Sequence, residues 1–265
     1  MQPKFAERQK KKGWNRMLLE ICVDSLASAR AAIRGGADRL ELCSALLAGG
    51  LTPYTALLRQ IREESDIPVR CLMRPRAGDF LYTADELELM RRQIEELKEA
   101  GANGFVIGCL TAEGDLDADA MALLIQAVGG AGLTLHRCID VSRDPVDTYR
   151  QAKELGFDTV LTSGAAVSCL QGQEMLGQLL QLRDEIVGPE ILMGAGVNAA
   201  AIRHLREKFP RARAFHMSGK TALESGMIFR RPGVPMGLPG LDEWHIQQTD
   251  AEKVQAAKAA LTENG

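Results

Sequence analysis

Two short apolar runs of the sequence each carry a carboxylate and a thiol two residues apart, Glu20 with Cys22 and Glu41 with Cys43. Residues two apart in a β-strand lie on the same face, so each run presents its acid and its thiol together if it forms a strand. Matching positions on neighbouring strands are about 4.8 Å apart. Two sulfurs at that separation can share a soft ion such as Cu(I), but cysteines in strands also serve as small core residues, and both interpretations are open.

Further polar side chains lie at the ends of other apolar runs: Arg74, His136, Asp140 and His216. In our interpretation His136 and Asp140 face inward from one strand, which leaves Arg137 to pair with a carboxylate outside the barrel or at its rim. A single histidine in such a place can be a hydrogen-bonded core residue, but two histidines beside the two glutamates and an arginine favour a catalytic site. The set predicts proton transfer next to a carbonyl, with Arg74 holding a carboxylate or phosphate.

Glycine-containing turns follow three of the later apolar runs and form a third group of candidates. Backbone N–H groups at such turns often bind phosphate in barrel enzymes, so these turns predict an anion pocket. The alternative is a tight turn that requires glycine for conformational reasons alone. The candidate anion-binding residues are Ser163, Gly164, Gly194, Gly196, Ser218 and Gly219.

Apolar runs and helix-capping residues in the sequence predict the strands and helices that must position these residues. Continuous apolar runs of this length are typical of buried parallel strands, and helical segments with capping residues separate them. The spacing predicts an eight-fold (β/α)8 barrel of the TIM type, in preference to an open doubly wound sheet, with its active site at the carboxyl ends of the strands. The predicted strands are 18–23, 39–45, 67–74, 104–110, 133–139, 159–163, 191–197 and 213–218.

Three stretches fall outside this repeat. Residues 1–16 are basic and polar and are expected to form a disordered arm, which leaves 17–265 as a single barrel domain. A helix beginning with Pro53 is predicted to reach Glu64, with Thr52 as its N-cap. The proline- and glycine-containing stretch 219–249 is predicted to be a long loop before a last helix at 251–261.

The bulk composition excludes several functional classes. The net charge of −3 gives no basic field for nucleic acid. The chain contains no apolar run of about 20 residues, so we expect no membrane span and a cytoplasmic location. The six cysteines are isolated and widely spaced, which predicts free thiols in a reducing compartment.

Seven motifs of the chain, in this order and spacing, resemble those of the CutC family of copper homeostasis proteins: LEICVDS, GGADRLELCSALLAGGLTP, MRPRAGDFLYT, GFVIGCLTAEGDLD, LHRCIDVSRDP, VLTSG and MGAGVN. The resemblance implies a barrel, a cytoplasmic location, a homo-oligomer (dimer or tetramer) and a Cu(I) site at the thiols of Cys22 and Cys43. The chain departs from the family pattern in its basic arm and in four additional thiols, Cys71, Cys109, Cys138 and Cys169.

Two functions remain as hypotheses at this point. The first is a cytoplasmic copper homeostasis protein that binds Cu(I) through Cys22 and Cys43. The second is a barrel enzyme of the lyase, aldolase or isomerase type that acts on a small anionic or phosphorylated metabolite. A scaffold that only supports oligomerisation explains the barrel, but it leaves the charged residues at one end without a role.

Overall fold

The computed structural model describes residues 17–234, 237 and 242–263. Eight parallel strands close into a barrel in sequence order, and helices alternate with them, so the predicted (β/α)8 fold is confirmed. Each strand is a short, almost wholly buried run. The strands are β1 Leu18–Val23, β2 Arg39–Leu42, β3 Val69–Leu72, β4 Gly104–Ile107, β5 Gly132–Leu135, β6 Thr159–Thr162, β7 Glu190–Met193 and β8 Ala214–Met217.

Eight helices surround the described part of the barrel, and most begin at a side chain that accepts a hydrogen bond from the first turn. Ser25 caps the first helix and Asn198 the seventh. The helices are α1 Leu26–Arg34, α2 Thr55–Glu64, α3 Ala84–Glu99, α4 Ala118–Val128, α5 Pro145–Glu154, α6 Gln173–Ile186, α7 Ala199–Lys208 and α8 Ala251–Thr262.

Alternation along the strands divides the barrel residues into two sets. Leu19 and Ile21 belong to the large apolar core that includes helix residues. Leu18 instead packs with Leu161 and Leu192, which come from strands across the barrel. The residues that share a face with Leu18 therefore point into the barrel, and among them are the first predicted carboxylate and thiol of β1.

Ion pairs fill the barrel interior beside these apolar contacts. Arg39 Nε donates to Glu20 Oε2 at 2.5 Å, and Arg70 Nη2 lies 2.7 Å from Asp158 Oδ1. Buried charges are costly unless they are paired, so each cation depends on its acid. Gly132 leaves room for this network, because a Cβ there would lie 2.7 Å from Arg70 Nη2.

Several predicted boundaries are wrong: β2, β3, β4 and β7 end two to four residues before their predicted ends, and two further differences affect the site. The fifth strand ends at Leu135, and Arg137–Val141 is a 3₁₀ turn, so the side chains of the predicted strand 133–139 do not alternate throughout. Helix α2 begins at Thr55 after Tyr54, because Thr52 is engaged elsewhere. The Thr52 N–H donates to the Arg74 carbonyl, and its Oγ1 accepts from the Arg74 N–H.

The stretch 219–249, predicted as a loop, contains a β-hairpin. Strands β9 Lys220–Glu224 and β10 His245–Thr249 pair in antiparallel fashion. The predicted arm 1–16 lies outside the described residues. Within the described ranges, every helix is too short or too polar to cross a membrane.

Candidate functional site

A cavity of about 630 Å³ opens at the carboxyl ends of the barrel strands, where a site is expected in this fold. Its volume is within the range of small-molecule sites. Polar and apolar side chains from most strands contribute to its wall. The lining residues include Cys22, Glu41, Arg74, Phe80, His136, Arg137, Asp140, Gly196, His216 and Ser218.

His216 joins the two predicted glutamates. Its Nδ1 lies 2.9 Å from Glu20 Oε1, and its Nε2 lies 3.8 Å from Glu41 Oε2. Burial opposes ionisation of Glu20, but Arg39 and His216 outweigh burial and lower the pKa of Glu20 to about 2. The ionised Glu20 therefore fixes the proton on His216 Nδ1 and turns Nε2 towards the cavity.

Glu41 is in a different environment from Glu20. Burial raises its pKa to about 7, because nearby His216 and Arg39 offset only part of the cost of burying its charge. Its Oε1 is buried and has no hydrogen-bond partner in the described structure. Burial also disfavours a charged His216, yet the anionic groups around it raise its pKa well above the ordinary value.

Cys22 lies close to the side chains of Glu41 and His216. The register of β1 and β2 places Cys22 opposite Glu41. Ligand atoms of Cys22, Glu41 and His216 all lie within 4.8 Å of one another, so these three residues can hold a metal ion. Glu20 would act as the carboxylate that orients the histidine ligand, an arrangement common in metal sites.

Cys43 follows directly after β2, two residues beyond Glu41, and is not among the residues that line the cavity. Its thiol packs with Leu72 and Val106, and Sγ donates to the Val23 carbonyl at 3.5 Å. Burial, together with the charge of Cys22, raises the pKa of the Cys43 thiol. The structure therefore brings one of the two predicted thiols to the site and keeps the other protonated beside it.

His136 lies at another wall of the cavity, at the end of β5. Its Nδ1 accepts from the Cys138 N–H at 3.1 Å, so the neutral ring carries its proton on Nε2. Burial, with Arg74 nearby, lowers the pKa of His136 to about 3. The Phe80 ring lies 4.7 Å from the imidazole, centroid to centroid. His136 is therefore a neutral donor, and Nε2 has no acceptor among the described residues.

Arg74 lies near His136 and is held by backbone carbonyls. Its Nη1 donates to the carbonyls of Ala48 and Gly50 at 3.3 and 3.2 Å, and Nη2 donates to Gly78 at 2.8 Å. Its guanidinium carbon lies 5.3 Å from the centroid of the Phe80 ring. Arg74 therefore brings a positive charge to the cavity wall in a fixed position.

Asp140 was predicted to share an inward strand face with His136, and this prediction is wrong because the chain turns after β5. Its buried carboxylate accepts from the N–H groups of Ser163 and Ala165 and pairs with Arg137 Nε at 2.7 Å. Asp140 also accepts from the Thr162 hydroxyl at 2.5 Å. Its contacts fix the loop after β6 and leave it little capacity for a ligand.

Three of the six residues predicted to bind an anion already use their backbone N–H groups in hydrogen bonds within the protein. The Ser163 N–H donates to Asp140, the Gly164 N–H to Thr162 Oγ1 and the Gly194 N–H to the Thr162 carbonyl. Their N–H groups are thus used within the protein. Of the other three predicted residues, Gly196 and Ser218 line the cavity, and Gly219 follows with φ of +56° and its carbonyl bonded to the N–H of residue 250.

Sequence reasoning missed two residues that shape this site. Arg39 starts β2 on the same face as Glu41, so the spacing of two that identified the acids could also have identified this arginine. Phe80 lies in an irregular loop and has no periodic signal. Only the structure shows that its ring contacts both Arg74 and His136.

The model of the CutC family matches residues 17–221 of this chain. The chain belongs to the CutC family. A relative in Xanthomonas campestris pv. campestris (strain B100), named family protein CutC, is 46% identical over 240 residues, which are 91% of this chain and 97% of the relative. The mouse copper homeostasis protein cutC homolog is 37% identical over 267 residues, which are 97% of each chain.

A solved structure of a CutC protein from Streptococcus agalactiae resembles this barrel with a TM-score of 0.71 and 26% sequence identity. The match covers 76% of this chain and 98% of the other. The family that the sequence motifs indicated is therefore confirmed. The metal ligands and catalytic residues inferred from those motifs stay predictions.

Proposed function

We propose that this CutC family protein acts in copper homeostasis by binding Cu(I) at Cys22 and His216. The observation that carries the proposal is the convergence of the Cys22, Glu41 and His216 ligand atoms within 4.8 Å at the cavity. The name of the mouse relative supports copper as the metal. A cytoplasmic location and a homo-oligomeric state remain predictions.

The donor set supports a soft ion. Thiolate sulfur and imidazole nitrogen are ligands that Cu(I) accepts, whereas a carboxylate suits harder ions. Glu20 holds His216 Nδ1 at 2.9 Å, so Nε2 is the nitrogen left to bind the ion. Because its anionic neighbours outweigh burial and raise the pKa of His216, Nε2 must release a proton when the ion binds. Glu41 then lies beside the ion rather than serving as the principal ligand.

This proposal uses one of the two thiols predicted from the sequence as the principal ligand. Cys43 must lose its proton and leave the Val23 carbonyl before it can bind an ion. Both steps are unfavourable in the apolar cluster around it. We therefore expect Cys22 to dominate Cu(I) affinity and Cys43 to contribute little.

The test is an anaerobic Cu(I) competition titration of the full chain and of Cys22→Ser, with Cys43→Ser as the matched control. We expect one tight ion per chain in the wild-type protein and at least about a hundredfold loss of affinity in Cys22→Ser, because a thiolate ligand is removed. Cys43→Ser should stay within about threefold of the wild type. An equal loss of Cu(I) affinity in both variants would show a two-thiol site. Unchanged affinity in both variants would contradict the copper proposal.

A proton-transfer enzyme of the lyase, aldolase or isomerase type is the second candidate, and Glu41 favours it. Glu41 lines the cavity that His136 also borders, and its buried Oε1 has no hydrogen-bond partner among the described residues. The Glu41 carboxylate would take a proton from the carbon next to a carbonyl, and the C–H electron pair would form an enolate whose oxygen accepts from His136 Nε2. Exchange of the methyl protons of pyruvate in D₂O, present in the wild type and lost in Glu41→Gln, tests this step; equal exchange in both proteins contradicts it.

A further inference from the structure

Two buried nitrogen donors on one wall of the cavity have no acceptor within the described ranges. They are His136 Nε2 and Arg74 Nε, and both residues line the cavity. His136 is only 4% exposed. Buried N–H groups without partners are uncommon in folded proteins, because each loses its hydrogen bonds to water and gains none. Two such donors, on side chains that both contact the Phe80 ring, indicate a place for a ligand that brings its own acceptors.

The charge of this wall limits the kind of ligand. The Nη atoms of Arg74 bond to three backbone carbonyls, which are neutral, so these contacts leave its charge uncompensated. His136 adds a donor without adding a charge, because its Nδ1 is the acceptor of a backbone hydrogen bond. One full positive charge beside one neutral donor suits a ligand with a single carboxylate and a second oxygen close to it.

Phe80 covers both donors. Its ring lies 4.7 Å from the imidazole of His136 and 5.3 Å from the guanidinium carbon of Arg74. The loop that carries it is held by Arg76, which pairs with Glu86 at 2.6 Å. The ring therefore shields the donors from water and offers an apolar face to the carbon skeleton of a small ligand.

We propose that this wall, formed by Arg74, Phe80 and His136, binds a small monocarboxylate with an oxygen on the adjacent carbon, namely a 2-oxo or 2-hydroxy acid. The carboxylate meets the guanidinium of Arg74, and the second oxygen accepts from His136 Nε2. The cavity of about 630 Å³ has room for such a molecule. This assignment goes beyond Cu(I) binding, and it deepens the second candidate function by naming the ligand class.

The experiment is a binding titration of the full chain by isothermal calorimetry, with pyruvate, lactate, acetate and inorganic phosphate as separate probes. Pyruvate and lactate should saturate one site per chain. Acetate, which lacks the second oxygen, and phosphate, which has a different shape and charge, should each bind at least about tenfold more weakly. Tighter binding of phosphate than of pyruvate would overturn the monocarboxylate assignment.

Three variants locate the site. Arg74→Gln and His136→Phe should each weaken pyruvate binding by about tenfold or more, because each removes a donor from the wall. His136→Gln retains an N–H near the position of Nε2 and should recover part of the loss. Circular dichroism and thermal unfolding establish that each variant is folded before its titration is interpreted.

The matched control is Tyr82→Phe. The Tyr82 hydroxyl is also buried without a partner, but Tyr82 is not among the residues that line the cavity. Its removal should leave pyruvate affinity unchanged.

Failure of pyruvate and lactate to bind the wild type, or unaltered binding in His136→Phe and Arg74→Gln, overturns the proposal. Pyruvate binding without proton exchange would retain this site and reject the enzyme function.

Discussion

The burial of His136 in a neutral form should make the protein sensitive to acid through this one residue. Burial and the positive charge of Arg74 lower its pKa from 6.5 to about 3. The unfolded chain therefore binds a proton at His136 between these two pH values, and the native state does not. Its contribution to the free energy of unfolding is fully present above pH 6.5 and is lost as the pH falls towards 3.

The magnitude follows from these two pKa values. At pH 4.5 the unfolded histidine is two pH units below its pKa, while the native histidine is still neutral. The linkage relation then gives a loss of about 3 kcal/mol in the free energy of unfolding between pH 7.5 and pH 4.5. Replacement by glutamine, which does not titrate, should remove that loss and retain a polar side chain of similar reach.

The assay is urea unfolding of the wild type and of His136→Gln at both pH values. Carboxylates such as Glu20 also titrate, but they are present in both proteins, so the difference between the two pH-induced changes isolates the histidine. Tyr82→Phe serves as a control that retains the histidine and should follow the wild type. The same loss of stability in His136→Gln as in the wild type would refute the assignment of a buried neutral histidine.

Two further predictions concern the loop after β6. Asp140→Asn should lower the free energy of unfolding in urea by about 3 kcal/mol, because a buried carboxylate that accepts from the Ser163 N–H and other donors is replaced; a change below 1 kcal/mol would contradict its structural role. Gly164→Ala should cost about 3 kcal/mol in the same assay, because φ is +77° and the new Cβ would lie 2.2 Å from the Gly172 carbonyl oxygen. Gly196→Ala is its matched control, since φ is +76° there but the nearest contact is 3.3 Å, and a loss of about 1 kcal/mol is expected.

The barrel was predictable from the sequence because two independent signals agreed. Buried parallel strands appear as continuous apolar runs, and the helix starts at Ser25 and Asn198 carry capping side chains. The fifth strand was overextended because Cys138 and Ile139 look like a continuation of the apolar run, although His136 and Arg137 interrupt it and the backbone turns there. Gly108 allows this turn, since a Cβ there would lie 2.4 Å from Cys138 Sγ and 2.5 Å from His136 Cε1. Such a contact between residues far apart in the chain leaves no local signal in the sequence.

The pairing of acids and thiols was predictable only in part. The spacing of two correctly implies that Glu20 and Cys22 share a face inside the barrel. It cannot reveal the stagger between strands, and the observed register places Cys22 opposite Glu41 rather than opposite Cys43. This stagger of two residues brings a carboxylate and His216 to the first thiol and leaves the second in an apolar layer.

The two proposals use different walls of one cavity, and this separation makes their tests independent. The proposed metal ligands Cys22 and His216 come from β1 and β8, which are adjacent strands. Arg74 and His136, the proposed hydrogen-bond donors to the acid ligand, follow β3 and β5 on another part of the barrel. Glu41 borders the proposed metal ligands and lines the shared cavity, and its buried Oε1 has no partner among the described residues. Retention of pyruvate binding together with loss of Cu(I) binding in Cys22→Ser would show that the cavity holds two sites, whereas simultaneous loss would show that the metal and the acid depend on each other.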